Sequence, residues 1–297
     1  MATMTKRRSP IGLGALFERL WSGRPRLWRR SVVNVVATSD VGTLRRNNED
    51  YFLIADLARP VTTTHGNDIV GDMLAPEPVL VVADGMGGAE GGEVASGMAA
   101  TVIWSQLAQA SHARRLRTPG GLRRTLLEAF RVANERIRAC AAKSPELVGM
   151  GTTATVAVMR GSELSIAHVG DSRAYLVRDG RARRLTKDHS VLQYLIDSGA
   201  DGAVDAAAAQ AHALLRALGP EADIEVDVIC VPLRHGDIVV LCSDGVWSAV
   251  GDDEIAAVVS AGRDLRAACE TLLALANERG GRDNATALLG RVETVGE

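Results

Sequence analysis

The sequence is poor in aromatic side chains, with only 3% Phe, Trp and Tyr, so its interior has to be filled by Val, Leu, Ile and Ala. Four cysteines occur, Cys140, Cys230, Cys242 and Cys269, and no two stand in a Cys-x-x-Cys pair. The absence of that spacing argues against zinc knuckles and redox dithiols and points to reduced thiols in a cytoplasmic protein. No apolar run approaches the roughly 18 residues of a membrane span. Ile11–Phe17 follows Lys6-Arg7-Arg8, but Glu18-Arg19 ends the run and no small-residue cleavage site follows, so a signal peptide is not expected. Two nucleotide-binding signatures are missing as well. From Gly85 the third glycine of G-x-G-x-x-G falls on Glu90, and no lysine stands in the glycine-rich turn where a P-loop needs one.

What remains is a chain of 297 residues, 46% hydrophobic and 24% charged, which suits one large soluble core. Its formal charge of −2 is unevenly spread. Residues 1–30 carry eight Lys or Arg against one acid, Glu18, a balance of +7 that leaves −9 on the rest. We therefore divide the chain into a basic arm, 1–30, and a body, 31–297. An acidic body suits a cation-binding enzyme and argues against nucleic acid as its ligand. Ile11, Leu13, Leu16, Phe17, Leu20 and Trp21 of the arm could line one side of a short helix. A solvated tail is favoured over a segment that docks on an anionic surface or partner.

The body is organised around Val79–Gly92. Five apolar residues run into Asp84-Gly85, the pattern of a strand buried on both faces that delivers one carboxylate to its tip, with glycines leaving room beside it. Ile238–Cys242 repeats the device, ending in Ser243-Asp244-Gly245, and Asp283 stands beside Gly280-Gly281 before a last strand, 287–292. An ordinary strand with an Asp-Gly turn would account for one such acid, but repeated acids at strand tips call for a cation between them. Further strands are expected at 32–37, 51–55, 152–159, 164–169, 174–178, 181–185, 223–231 and 237–242, with Asp179-Gly180 as a two-residue hairpin turn. Helices are expected at 93–110, 122–142, 190–198, 252–261 and 265–278. Residues 59–78 read as a polar connection and 199–213 as an alanine-rich flap.

Taken in order, Arg45…Glu49-Asp50, Asp84-Gly85-Met86-Gly87-Gly88, Gly149-Met150-Gly151-Thr152-Thr153, Gly170-Asp171-Ser172-Arg173, Ser243-Asp244-Gly245 and Asp283-Asn284 resemble the PPM/PP2C family of metal-dependent protein phosphatases, bacterial branch. The match spans about residues 33–292. The resemblance implies an α+β fold, a four-layer αββα sandwich of two antiparallel β-sheets flanked by helices, and two Mn²⁺ or Mg²⁺ ions in a cleft at one edge. By the same resemblance Asp84 bridges both ions, Asp244 and Asp283 hold one and the Gly85 carbonyl holds the other. Glu49 and Asp50 act directly or through water, Asn284 supports the site, and Arg45 grips the substrate phosphate. Asp84 and Arg45 are thus the expected catalytic residues. The residue types agree, since hard cations prefer carboxylate and carbonyl oxygens and no His/Cys cluster points to zinc.

The resemblance further implies phosphorylated proteins as substrates, a cognate Ser/Thr protein kinase and a cytoplasmic setting. Three features depart from the family pattern. Met86 stands where eukaryotic relatives often have a proton-donating His. The acid of a third metal site is replaced by the neighbourhood of Glu146 and Val148. Of the usual flap motif only Arg216-Ala217-Leu218-Gly219 survives. His168, His189 and Asp171 read as structural. Two rival readings remain: a catalytically silent binding module, and a phosphatase restricted to an anti-anti-sigma-type regulator.

Overall fold

The computed structural model describes residues 31–59, 61–64, 70–87, 91–118, 120–199 and 213–294. The basic arm and most of the alanine-rich segment expected as a flap lie outside the described residues.

A strand that is apolar on both faces needs cover on both sides, and the alternation of side chains along it decides what each face meets. In β2 (Asp50–Asp56) and β5 (Pro78–Met86), Phe52, Ile54, Leu80 and Val82 point into a core between two sheets. Leu53, Ala55, Val79 and Val81 point the other way, into a second core beneath helices α1 (Gly91–His112) and α2 (Gly121–Ala141). A third core lies outside the other sheet, where Val240, Cys242, Ala287 and Leu289 meet helices α5 (Asp252–Ser260) and α6 (Leu265–Glu278). Three cores between four layers make the expected αββα sandwich.

All strand pairs are antiparallel. One sheet has the order β10-β9-β12-β13-β1-β4, formed by Arg181–Arg184, Arg173–Arg178, Ile238–Cys242, Ala285–Thr294, Ser31–Asp40 and Val70–Ala75. The other runs β11-β8-β7-β5-β2-β3, formed by Asp227–Pro232, Glu163–Val169, Ala154–Arg160, β5, β2 and Val61–Thr64, with the short β6 (Gly151–Thr152) paired to the tip of β5. Asp179 and Gly180 both take positive φ, 52° and 73°, as the expected hairpin between β9 and β10 requires. Helix α3 (Val191–Ser198) follows, capped by the Ser190 hydroxyl.

The connection expected at 59–78 instead contains β3 and β4, one edge strand for each sheet. Edge strands lean on a single neighbour and can be short and polar, so Val61-Thr-Thr-Thr64 carries no apolar signal. The strand expected at 152–159 is broken at Thr153 into β6 and β7. Beyond the tip of β12, residues 244–247 form the single-turn helix α4.

Candidate metal centre

Strand register brings the acids together. In the β2–β5 pair Asp50 lies directly opposite Asp84. From the other sheet, β12 ends at Cys242 and passes through Ser243 into Asp244 at the start of α4, and β13 begins just after Asp283-Asn284. Two hydroxyls tie the sheets at this edge: Ser243 Oγ and Thr286 Oγ1 both donate to Asp50 Oδ2, at 2.6 and 2.7 Å. The second oxygen, Asp50 Oδ1, is buried and has no hydrogen-bond partner among the described residues.

The electrostatics follow from that crowding. Burial pushes the Asp50 carboxyl up to about 8, against the pull of the two hydroxyls, and the charges of Asp244 and Asp283 add to the rise. Burial also lifts Asp84 well above the usual carboxylate range, followed by the charges of Asp50, Asp244, Asp171 and Asp283. Asp171, in the turn between β8 and β9, is pushed up to about 7 by burial, then by Asp244 and Asp188. Five carboxyls thus sense one another where the two sheets meet. Even so, among the described residues no three acid, imidazole or thiol groups are close enough to cage an ion by themselves. A cation here would need backbone oxygen and water as well, which is the usual manner of Mg²⁺.

The glycines beside Asp84 are set by close approach. A Cβ on Gly85 would stand 2.2 Å from the Gly92 carbonyl oxygen and 2.7 Å from that of Glu49. A Cβ on Gly92 would strike the Glu49 carboxylate at 2.7 Å, so this side chain lies against the first turn of α1. Burial raises the Glu49 carboxyl, Arg45 opposes the rise, and Asp283 and Glu93 reinforce it.

The 41–49 loop is pinned by Asn284. Its Nδ2 donates to the carbonyls of Val41 and Asn47 at 2.9 and 3.0 Å, and its Oδ1 accepts from the Glu49 N–H at 2.8 Å. So fixed, the loop presents Arg45, whose Nη2 donates to Asp283 Oδ2 at 2.7 Å while half of its side chain stays exposed, at 50%. The other Asp283 oxygen accepts from the Asn284 N–H. The expected residues Arg45, Glu49, Asp50, Asp84, Gly85, Asp244, Asp283 and Asn284 therefore fall in one neighbourhood.

Sequence reasoning missed the hydroxyl support. The Asp84 N–H donates to Thr153 Oγ1 at 2.9 Å, Thr153 Oγ1 meets Ser172 Oγ at 2.7 Å, and Thr155 Oγ1 donates to the Ser172 carbonyl and meets His168 Nδ1 at 2.8 Å. His168 is buried and held low, to about 3, by burial and then by His189, and so is a neutral part of the core. Asp171 had a signal, since Leu164–Val169 runs into Gly170-Asp171 much as Val79–Ala83 runs into Asp84-Gly85. Glu146 and Val148 are exposed on the turn before β6. Outward from Asp244 and Asp283 opens a cleft of about 750 Å³, lined also by Arg173, Trp247, Asp252, Arg279 and Arg282.

Comparison with known proteins agrees with this geometry. A family model described as protein phosphatase 2C matches residues 71–193. The serine/threonine phosphatase stp of Listeria monocytogenes is 36% identical over 255 residues, covering 84% of this chain and 92% of the relative. The solved serine/threonine phosphatase of S. agalactiae superposes with a TM-score of 0.75 at 30% identity, covering 89% of this chain and 100% of the other. The catalytic domain of the serine/threonine protein phosphatase PstP, solved in complex with 2 manganese ions, matches with a TM-score of 0.69 at 33% identity, over 89% of this chain and 99% of that one. The chain belongs to the protein phosphatase 2C family. Within it, this is a serine/threonine protein phosphatase of the bacterial type, which sets aside the reading as a silent binding module.

Proposed function

We propose that the strand-end acids hold two divalent cations, Mn²⁺ or Mg²⁺, for hydrolysis of phosphoserine and phosphothreonine esters on proteins. The observation that carries this reading is Asp50, buried with one oxygen unpartnered among the described residues and its carboxyl raised to about 8. An unsatisfied buried oxygen and a ring of mutually repelling acids both call for positive charge, and the donor set is all oxygen.

In this proposal Asp84 would serve both cations, Asp244 and Asp283 would help to hold one, and the Gly85 carbonyl would help to hold the other. Glu49, Asp50 and Asn284 act around them. When bound, such cations supply hydroxide near neutral pH and offset charge on phosphoryl oxygens. Arg45 spends one N–H on Asp283 and keeps the rest of its planar fork for the phosphoryl oxygens, where it also counters charge in the transition state. The 41–49 loop, held by Asn284, keeps that fork in place. Met86 has no proton to give, so protonation of the leaving alkoxide falls to water at the site or to another residue. No side-chain nucleophile is required, and a single displacement without a phosphoenzyme follows.

The proposal extends to a cognate Ser/Thr protein kinase that supplies the substrates. It places the enzyme in the cytoplasm, supported by four free thiols, two of them buried. It also treats the arm as separable, so deletion of residues 1–30 should leave small-substrate turnover intact. The test of the core reading is phosphate release from a phosphothreonine peptide with Mn²⁺, with EDTA as control. Absence of release, or release that EDTA leaves unchanged, would overturn it.

A further inference from the structure

The cleft beside the metal centre has a charge pattern that the hydrolysis itself does not use. Its inner end is formed by Asp244 and Asp283, and its walls by the turn 279–283, α4 and the start of α5. Two of its arginines are committed to the fold. Arg173 is clamped to Asp188 through Nε and Nη2, at 2.7 to 3.2 Å, and lies 3.6 Å over the Trp247 ring. Arg279 makes a two-pronged pair with Glu254 and also donates to the Ala249 carbonyl.

Arg282 differs. It is exposed, its stem runs along Gly280, and its guanidinium has no hydrogen bond or ion pair with any described residue. It also directly precedes Asp283, the residue that Arg45 grips. Arg282 and Asp283 both line the cleft, so an anion entering it alongside a phosphate held at Arg45 finds in Arg282 a guanidinium not already committed to the fold. The one other acid on the walls, Asp252, already accepts from the Tyr175 hydroxyl at 3.0 Å and lies 3.8 Å from Arg173.

We propose that Arg282 forms an anion subsite for the polypeptide flanking the scissile phosphoester, so that the enzyme prefers phosphopeptides with an acidic side chain near the phosphoresidue. This rests on the phosphatase reading above and adds a determinant of substrate choice. The ligand is a carboxylate or a second phosphate, which an arginine fork recognises alike. The pair is solvent-exposed, so the preference is modest and fades with added salt.

The experiment compares kcat/KM for a set of phosphothreonine peptides in which positions within three residues on either side carry Ala, Asp, phosphoserine or Lys. p-Nitrophenyl phosphate reports the chemistry alone. The unaltered enzyme should favour at least one acidic peptide over its Ala counterpart by about three- to tenfold. Arg282→Ala should bring that ratio close to one, Arg282→Lys should keep part of it, and Arg282→Glu should turn it in favour of Lys, while turnover of p-nitrophenyl phosphate changes less than twofold in all three. Equal rates on all peptides, or a preference that survives Arg282→Glu, would overturn the subsite and leave the phosphatase reading standing. No Mn²⁺-dependent release from any substrate would overturn both. Phosphoserine and Asp arms that differ by more than the charge difference predicts would narrow the ligand to one of them.

Discussion

Strand β12 carries a buried environment for a carboxylate at each end, and the two differ in company rather than in burial. At its start Asp237 is 1% exposed. It is held by Arg178 through two bonds of 2.6 and 2.5 Å and by the Arg234 N–H at 2.6 Å. Beyond its other end Asp50, also 1% exposed, receives hydroxyls instead and lies among acids. A fixed guanidinium closes the first site within the fold. The second has the same cost of burial without an internal cation, which is how a site for an external one is built. Burial of an acid therefore does not mark function, whereas burial without a matching cation does.

The sharpest way to break this comparison is to neutralise an acid at each end. Asp84→Asn and Asp244→Asn should each lower kcat on p-nitrophenyl phosphate on the order of 10³-fold, because a bound cation contributes several kcal/mol and each 1.36 kcal/mol is tenfold. Thermal stability of the metal-free protein should hold or rise, since an acid crowded by other acids is replaced by a neutral amide. Near-normal rates in either variant would contradict the assignment. Asp237→Asn should do the reverse. Leaving Arg178 without its carboxylate should cost about 3–5 kcal/mol, seen as a Tm drop of roughly 10 °C, while turnover per folded molecule stays within about twofold.

A smaller effect separates the two roles inside the active end. Arg45→Ala should reduce kcat/KM by about 10- to 100-fold and leave Mn²⁺ affinity, measured by calorimetry, within about threefold. Arg45→Lys should recover only part of the loss, because a point charge lacks the planar fork. An unchanged kcat/KM in Arg45→Ala would remove the phosphate clamp.

Much of this was legible from residues alone, and the reason is local. An apolar run that stops at Asp-Gly announces a buried strand with an acid at its tip, and both Val79–Gly85 and Ile238–Gly245 do so. What the sequence does not carry is register between distant segments. Ser243 and Thr286 reach Asp50 from 193 and 236 residues away, and Arg45 meets Asp283 across 238. Nothing near Asp50 announces those hydroxyls, which are supplied by the packing of one sheet against the other. The same limit hid β3 and β4: Thr62-Thr63-Thr64 of β3 is polar, and each of the two strands pairs on one side only.

The gentlest test of the comparison uses pH. A carboxyl whose pKa rises on folding keeps its proton in the native chain after the unfolded chain has released it, so the unfolded state binds fewer protons and stability falls as pH climbs. Asp50, raised to about 8, and Asp171, raised to about 7, place that fall between the unfolded carboxylate value of about 3.9 and about 8. The metal-free phosphatase should therefore melt roughly 5 °C lower at pH 8 than at pH 5.5. Saturating Mn²⁺ binds the ionised acids, so it should narrow or reverse that difference, and its stabilisation should grow with pH. Asp237 supplies the internal control: with Arg178 as its fixed partner, Asp237→Asn should lower Tm without altering the Mn²⁺-dependent part of the pH profile. A metal-free protein equally stable at both pH values, or Mn²⁺ stabilisation that ignores pH, would show that the acids of the active end are as well compensated within the fold as Asp237 is.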